Sequence, residues 1–133
     1  MTTTASDSDD DGSGGLDASI VLRRCAACLG ASGIMLGAYG GHKLSGGALE
    51  RWRTAVLYHL VHATAILGLS ASIKKKKQNK ALVASGSLLT IGTLCFSGSL
   101  YLKTLGMFPK GGFGLITPIG GMCMIAGWAC AVF

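Results

Sequence analysis

The stretch from Thr54 to Ile73, TAVLYHLVHATAILGLSASI, limits what this chain can fold into more than any other part of it. About 20 helical residues, rising about 1.5 Å each, cover the roughly 30 Å hydrocarbon core of a bilayer, so the stretch reads as a transmembrane helix. Its first half nevertheless carries Tyr58, His59 and His62. Ionisable side chains are costly inside a membrane, so they face a bundle interior and are functional candidates by default. A lone helix has no interior, and further helices must supply the cover.

The rest of the chain is built to do so. Half of its 133 residues are hydrophobic and 14% are charged, against about 25% charged in soluble domains. The 21 glycines show no G-X-Y period and come with 2 prolines, which excludes collagen-like and disordered readings. Glycine-rich apolar segments fit transmembrane helices, where small residues let backbones approach closely. The expected fold is all-α: one polytopic domain over residues 20–133, with four transmembrane helices in a compact bundle at about 22–42, 54–73, 81–102 and 116–133.

Residues 1–19 read as a disordered acidic tail, since MTTTASDSDDDGSGGLD holds five of the six acidic residues and almost nothing to bury. It resembles neither an Arg-rich presequence nor the basic start of a signal peptide. In span one, Gly33, Gly37 and Gly41 recur every four residues on one face, a pattern that allows tight helix crossing. A polar link follows, in which Leu49, Trp52 and Val56 predict an interfacial helical turn with Trp52 at headgroup level. Span three carries the small, weakly polar stripe Gly86, Thr90, Thr93 and Ser97. Its hydroxyls either bond across helices or bond their own i−4 carbonyls. Thr117-Pro118 predicts the start of span four, with Thr117 as N-cap and Pro118 at the first helical position. Gly120, Cys123, Gly127 and Cys130 make that span's small-residue stripe, and Trp128 reads as an interfacial anchor.

The formal charge of +6 does not point to nucleic acid, because the Lys and Arg residues flank apolar spans instead of lining a soluble face with stacking aromatics. Arg23, Arg24 and the five lysines of Lys74–Lys80 fall on one side; Lys43, Arg51, Arg53, Lys103 and Lys110 fall on the other. That bias predicts both termini and the lysine loop on the inner side, cytoplasmic or matrix. The lysine loop also predicts attraction to anionic lipid. The five cysteines, Cys25, Cys28, Cys95, Cys123 and Cys130, lie in or beside apolar spans and suggest small buried hydrophobes, not a disulfide framework. Palmitoylation of Cys25 or Cys28, beside Arg23 and Arg24, is the alternative for that pair.

Four blocks stand out in order: Gly37-Ala-Tyr-Gly-Gly-His42, Tyr58-His-Leu-Val-His62-Ala63, Phe96-Ser-Gly-Ser-Leu-Tyr101, and Thr117-Pro-Ile-Gly-Gly121 followed by Gly127-Trp128. Together they resemble the transmembrane protein 256 family, also called domain of unknown function 423, over about residues 25–133. The resemblance implies a small four-helix integral membrane protein with no established activity. The acidic tail and the run of four lysines depart from the family pattern and lean towards a mitochondrial membrane.

The residues that could carry chemistry are His42, Tyr58, His59, His62, Ser97, Ser99, Tyr101 and Thr117, which span order places at the outer end of the bundle. Histidine in a membrane can relay protons or bind haem. His59 shares a helix with His62 and cannot oppose it as a second axial ligand, which leaves His42. Zinc needs three or four ligands, and only cysteines at other depths remain, so no metal or cofactor is expected. No carboxylate lies within the spans to complete a proton pathway, and no nucleophile motif is present. Polar glue between helices is therefore the expected role of these residues.

Close packing is expected at Gly33, Gly37, Gly41, Gly86, Gly98, Gly120, Gly121 and Gly127. These small faces exceed what four helices need internally, which predicts a non-enzymatic structural or accessory subunit of a larger membrane complex or homo-oligomer. The alternative is a small transporter or proton-coupled permeation protein using the His and Tyr side chains.

Overall fold

The computed structural model describes residues 17–75, 79–107 and 114–132, and among them all regular structure is helical. The helices are α1 (Ala18–Lys43), α2 (Gly46–Lys75), α3 (Lys80–Thr104) and α4 (Ile116–Ala131). Three are long and apolar enough to cross a membrane, and α4 is a shorter apolar helix of 16 residues, about 24 Å in length. Most of the acidic tail and the centre of the lysine loop lie outside the described residues.

Local chemistry sets the helix ends. Asp17 caps α1, its carboxylate accepting the Ser19 amide at 2.9 Å, so the helix begins inside the stretch read as tail. Asn79 caps α3 through the Ala81 amide at 2.9 Å. Each cap satisfies an N–H that the first turn would leave without a partner. Gly46 opens α2 at φ 57° and Gly106 closes the turn after α3 at φ 68°, left-handed positions where glycine carries no Cβ penalty. At α4 the expected cap is corrected. Leu115 is the N-cap residue and makes no side-chain cap bond, because the Thr117 hydroxyl is engaged with Ser99 at 2.6 Å.

The helices pack in chain order: α1 along α2, α2 along α3, and α3 along α4, with a slight contact between α1 and α3. Leu22, Ala26, Leu29, Ala63, Ile66 and Leu89 belong to the main core, and Trp52, Ala55 and Tyr101 form a second cluster where α1 ends and α2 begins. Ile34, Met35, Leu57, Val61, Ile91, Leu94, Met122 and Ile125 point outwards. That inversion suits a lipid solvent, which gives apolar side chains no reason to hide.

Trp52 corrects a sequence expectation. It is 1% exposed, not a headgroup anchor. The interfacial turn is simply the start of α2, and the indole lies directly against Gly40 of α1, where no Cβ would fit.

Glycine makes the helix contacts close. A Cβ at Gly120 would stand 2.5 Å from the Phe96 nitrogen and 2.9 Å from the Gly92 oxygen, so α3 and α4 meet backbone to backbone. Gly33 receives Leu60, Gly37 receives Val56, Gly86 receives Leu22 and Gly127 receives Leu89. Gly121 is only grazed by Phe96 at 3.9 Å, and Gly41 and Gly98 have nothing within 4 Å. The face of α1 that meets α2 therefore runs Gly33, Gly37, Gly40. Over two turns a helix of 3.6 residues per turn returns to i+7 more nearly than to i+8.

Candidate functional site

The two histidines of α2 are both buried, yet they serve different helix contacts. His62 sits near the middle of α2. Its Nδ1 lies 2.7 Å from the Tyr58 carbonyl one turn back, and its Nε2 lies 3.3 Å from the indole nitrogen of Trp128 on α4. A carbonyl only accepts and an indole N–H only donates. These partners assign the neutral imidazole protonated at Nδ1, with Nε2 accepting. The Tyr58 ring stacks on the imidazole at 5.9 Å and 10°, and Phe96 of α3 lies 4.8 Å from Tyr58. Trp128 is 49% exposed and bonded to a central residue of α2, so it is more than an interfacial anchor.

His59 faces α1 and α3. Its Nδ1 is 3.2 Å from the Tyr101 hydroxyl and its Nε2 is 3.4 Å from Ser32 Oγ. Ser32 donates its own proton to the Cys28 carbonyl at 2.8 Å, which leaves its oxygen to accept from His59. The chain then runs one way: Tyr101 O–H to His59 Nδ1, His59 Nε2–H to Ser32, Ser32 to the backbone of α1. Trp52 closes this system near the start of α2, its ring 4.6 Å from that of Tyr101 and its indole N–H donating to the Leu36 carbonyl at 2.6 Å.

The hydroxyls divide between the two readings of span three. Thr90 and Thr93 bond the Gly86 and Leu89 carbonyls of their own helix, each at 2.7 Å. Ser97 bonds across to the Ala55 carbonyl of α2 at 2.9 Å. Ser99 meets Thr117 of α4. Ser85, which sequence reasoning missed, donates to the Gly127 carbonyl at 2.7 Å. The face Ser85, Leu89, Gly92, Phe96, Ser99 recurs at helical spacing and was the signal available for it.

The eight candidate residues thus do not form one cluster. Tyr58 and His62 join Trp128, which the candidates omitted. His59 and Tyr101 join Ser32, also omitted. Ser99 pairs with Thr117, and Ser97 bonds the α2 backbone. His42 stands apart, exposed at the end of α1. α2 extends past both ends of the predicted span, and His62 lies near the middle of the helix.

Chemically, this arrangement holds helices in register. Among the described residues no three His, Cys, Asp or Glu side chains converge as metal ligands. Among the described residues, no side-chain nitrogen or oxygen sealed from solvent lacks a hydrogen-bond partner. The polar side-chain groups sealed inside the bundle are matched to a group on another helix or to their own backbone, the condition under which such groups are tolerated in lipid.

The chain matches the family described as "Protein of unknown function (DUF423)" over residues 36–121. It is similar to the UPF0382 inner membrane protein YgdD of Escherichia coli strain K12, at 39% identity over 108 residues, covering 78% of this chain and 80% of that protein. The UPF0382 membrane protein YwdK of Bacillus subtilis is 35% identical over 101 residues, covering 73% and 80%. A UPF0382 membrane protein of Schizosaccharomyces pombe is 36% identical over 114 residues, covering 78% and 92%. No solved structure matches the chain.

Proposed function

Because the chain belongs to the DUF423 family of membrane proteins, we propose that it acts as a non-enzymatic structural or accessory subunit within a larger membrane assembly. The observation that carries this reading is the commitment of both ring nitrogens of His59 and of His62 to internal partners. The groups best able to do chemistry are used to join helices. The outward face of α1 supports the same reading. Ala27, Ala31, Ile34, Ala38 and Gly41 recur along it at helical spacing, exposed and mostly small, which lets another helix approach closely. Extraction in native lipid or mild detergent, followed by mass spectrometry of the intact particle, tests the proposal. A stoichiometric membrane partner or a second copy is the expected result; a free monomer in every lipid would overturn it.

Charge bias supports an orientation with both termini and the lysine loop on the cytoplasmic or matrix side. The E. coli relative's name as an inner membrane protein supports the corresponding membrane here, the mitochondrial inner membrane in a eukaryotic cell. Membrane fractionation and cysteine-accessibility labelling at the Lys43–Gly46 turn read both.

One observation favours a second reading, a small proton-coupled permeation protein. The Tyr101, His59 and Ser32 bonds form a directed chain across three helices. It runs laterally from α3 to α1, and the only carboxylates among the described residues, Asp17 before α1 and the exposed Glu50 in the first turns of α2, form no part of it. Proton flux in proteoliposomes decides: flux lost in His59→Gln, with the fold intact, would establish permeation over a subunit role.

A further inference from the structure

Where α1 begins and α2 ends, the two helices leave a cavity of about 390 Å³. Its walls are the apolar side chains of Ile20, Leu67 and Ala71, and its polar groups include Asp17, Ser19 and Arg23. Ser70 also borders it, but its hydroxyl is turned to the Leu67 carbonyl at 2.7 Å. Ser19 is different. It is 94% buried, and its hydroxyl has no hydrogen-bond partner among the described residues. Since no sealed side-chain oxygen lacks a partner, the Ser19 oxygen opens onto this cavity.

Two opposite charges border the same cavity. One Asp17 oxygen accepts the Ser19 amide, and the other keeps its acceptor capacity. The Asp17 carboxylate and the Arg23 guanidinium have no ion-pair partner among the described residues. Asp17 and Glu50 are the only acidic residues in the described part of the chain, so a carboxylate beside Arg23 is not a random product of a charged surface. From Asp17 to Arg23 the helix rises about 9 Å, so the two charges stand at different levels along α1.

We infer that this cavity binds one zwitterionic phospholipid carrying a primary amine, an ethanolamine-type headgroup. The ammonium meets the Asp17 carboxylate, the phosphate meets Arg23, and the Ser19 hydroxyl donates to a phosphate or ester oxygen. The first acyl carbons follow Ile20, Leu67 and Ala71 towards the core. The occupant is set by chemistry: Asp17 at the rim opposes a purely anionic headgroup, and a quaternary ammonium has no N–H to donate to it. The site goes beyond the subunit role and does not depend on it.

The test uses the full-length protein in mild detergent, titrated with phosphatidylethanolamine, phosphatidylcholine and phosphatidylglycerol of identical acyl chains and read by native mass spectrometry. The first phosphatidylethanolamine is expected to be retained about two- to fivefold better than phosphatidylcholine, the worth of one partly exposed charged contact. Asp17→Asn abolishes that preference and leaves the fold intact, because asparagine caps a helix as well as aspartate does. Asp17→Ser, another capping residue, repeats the result. Arg23→Gln lowers retention of both lipids together. Equal retention of the first two lipids by the unaltered protein, best retention of phosphatidylglycerol, or an unchanged preference in Asp17→Asn would each overturn the site.

Discussion

The indole N–H of Trp128 on α4 reaches Nε2 of His62 on α2 at 3.3 Å, 66 positions away in the chain. Backbone packing holds α4 against α3 through Gly120 and Gly127, so this bond is the polar link from α4 back to the middle of α2. It also fixes the proton of His62 on Nδ1, because both ring nitrogens already have a defined partner.

Trp128→Phe keeps most of the ring and removes the donor. Interhelical hydrogen bonds in membranes are worth about 0.6 kcal/mol and at most about 1.7. A loss of that size is expected in reversible unfolding from detergent. A double-mutant cycle with His62→Leu should return the same coupling energy; additive losses would show that the two side chains do not interact.

Tyr101→Phe deletes the hydroxyl that bonds His59 Nδ1 and preserves the ring packing on Trp52. Destabilisation of about 1 kcal/mol is expected. The imidazole carbon and nitrogen shifts of a labelled His59 report whether Nδ1 has lost its donor.

Gly120→Ala should cost far more than Gly98→Ala. The first places a methyl group against the α3 backbone at 2.5 Å, and the second has nothing within 4 Å. In Gly98→Ala the gain in helix propensity, up to about 1 kcal/mol, is unopposed. Fluorescence-detected size exclusion after mild heating should show Gly120→Ala aggregating first and Gly98→Ala at least as stable as the parent.

Trp52→Ala empties the space that the indole fills against Gly40, Leu36 and Tyr101. A buried tryptophan truncation costs about 3–5 kcal/mol in soluble cores. A loss near the lower end is expected here, since lipid removes the transfer component and leaves packing. Trp52→Phe should recover most of it, short of the bond to the Leu36 carbonyl. A surface role at the headgroups predicts no such ordering.

Much of the architecture was legible residue by residue. Thr54–Ile73 and Ala81–Leu102 read as spans because hydropathy is a local sum, and the observed helices contain both. The predicted interfacial turn before Thr54 failed because amphipathic spacing looks the same on a headgroup surface and on a buried helix end. Trp52 could be placed only once Gly40 offered a cleft for it. Thr117 read as a cap on local grounds, but a hydroxyl can serve one partner at a time, and Ser99 across the helix pair took it.

Hydropathy and residue order alone establish a helical membrane protein whose spans hide His59 and His62, because an ionisable group in hydrocarbon must find cover within the bundle. They could not determine which helix covers which ring. His59 and His62 are three residues apart, and about 60° of rotation around the helix sends one towards α1 and α3 and the other towards α4. That choice depends on where Gly33, Gly92 and Gly120 let neighbouring backbones close in. Only the tertiary structure decides it, since close approach is a property of two surfaces together.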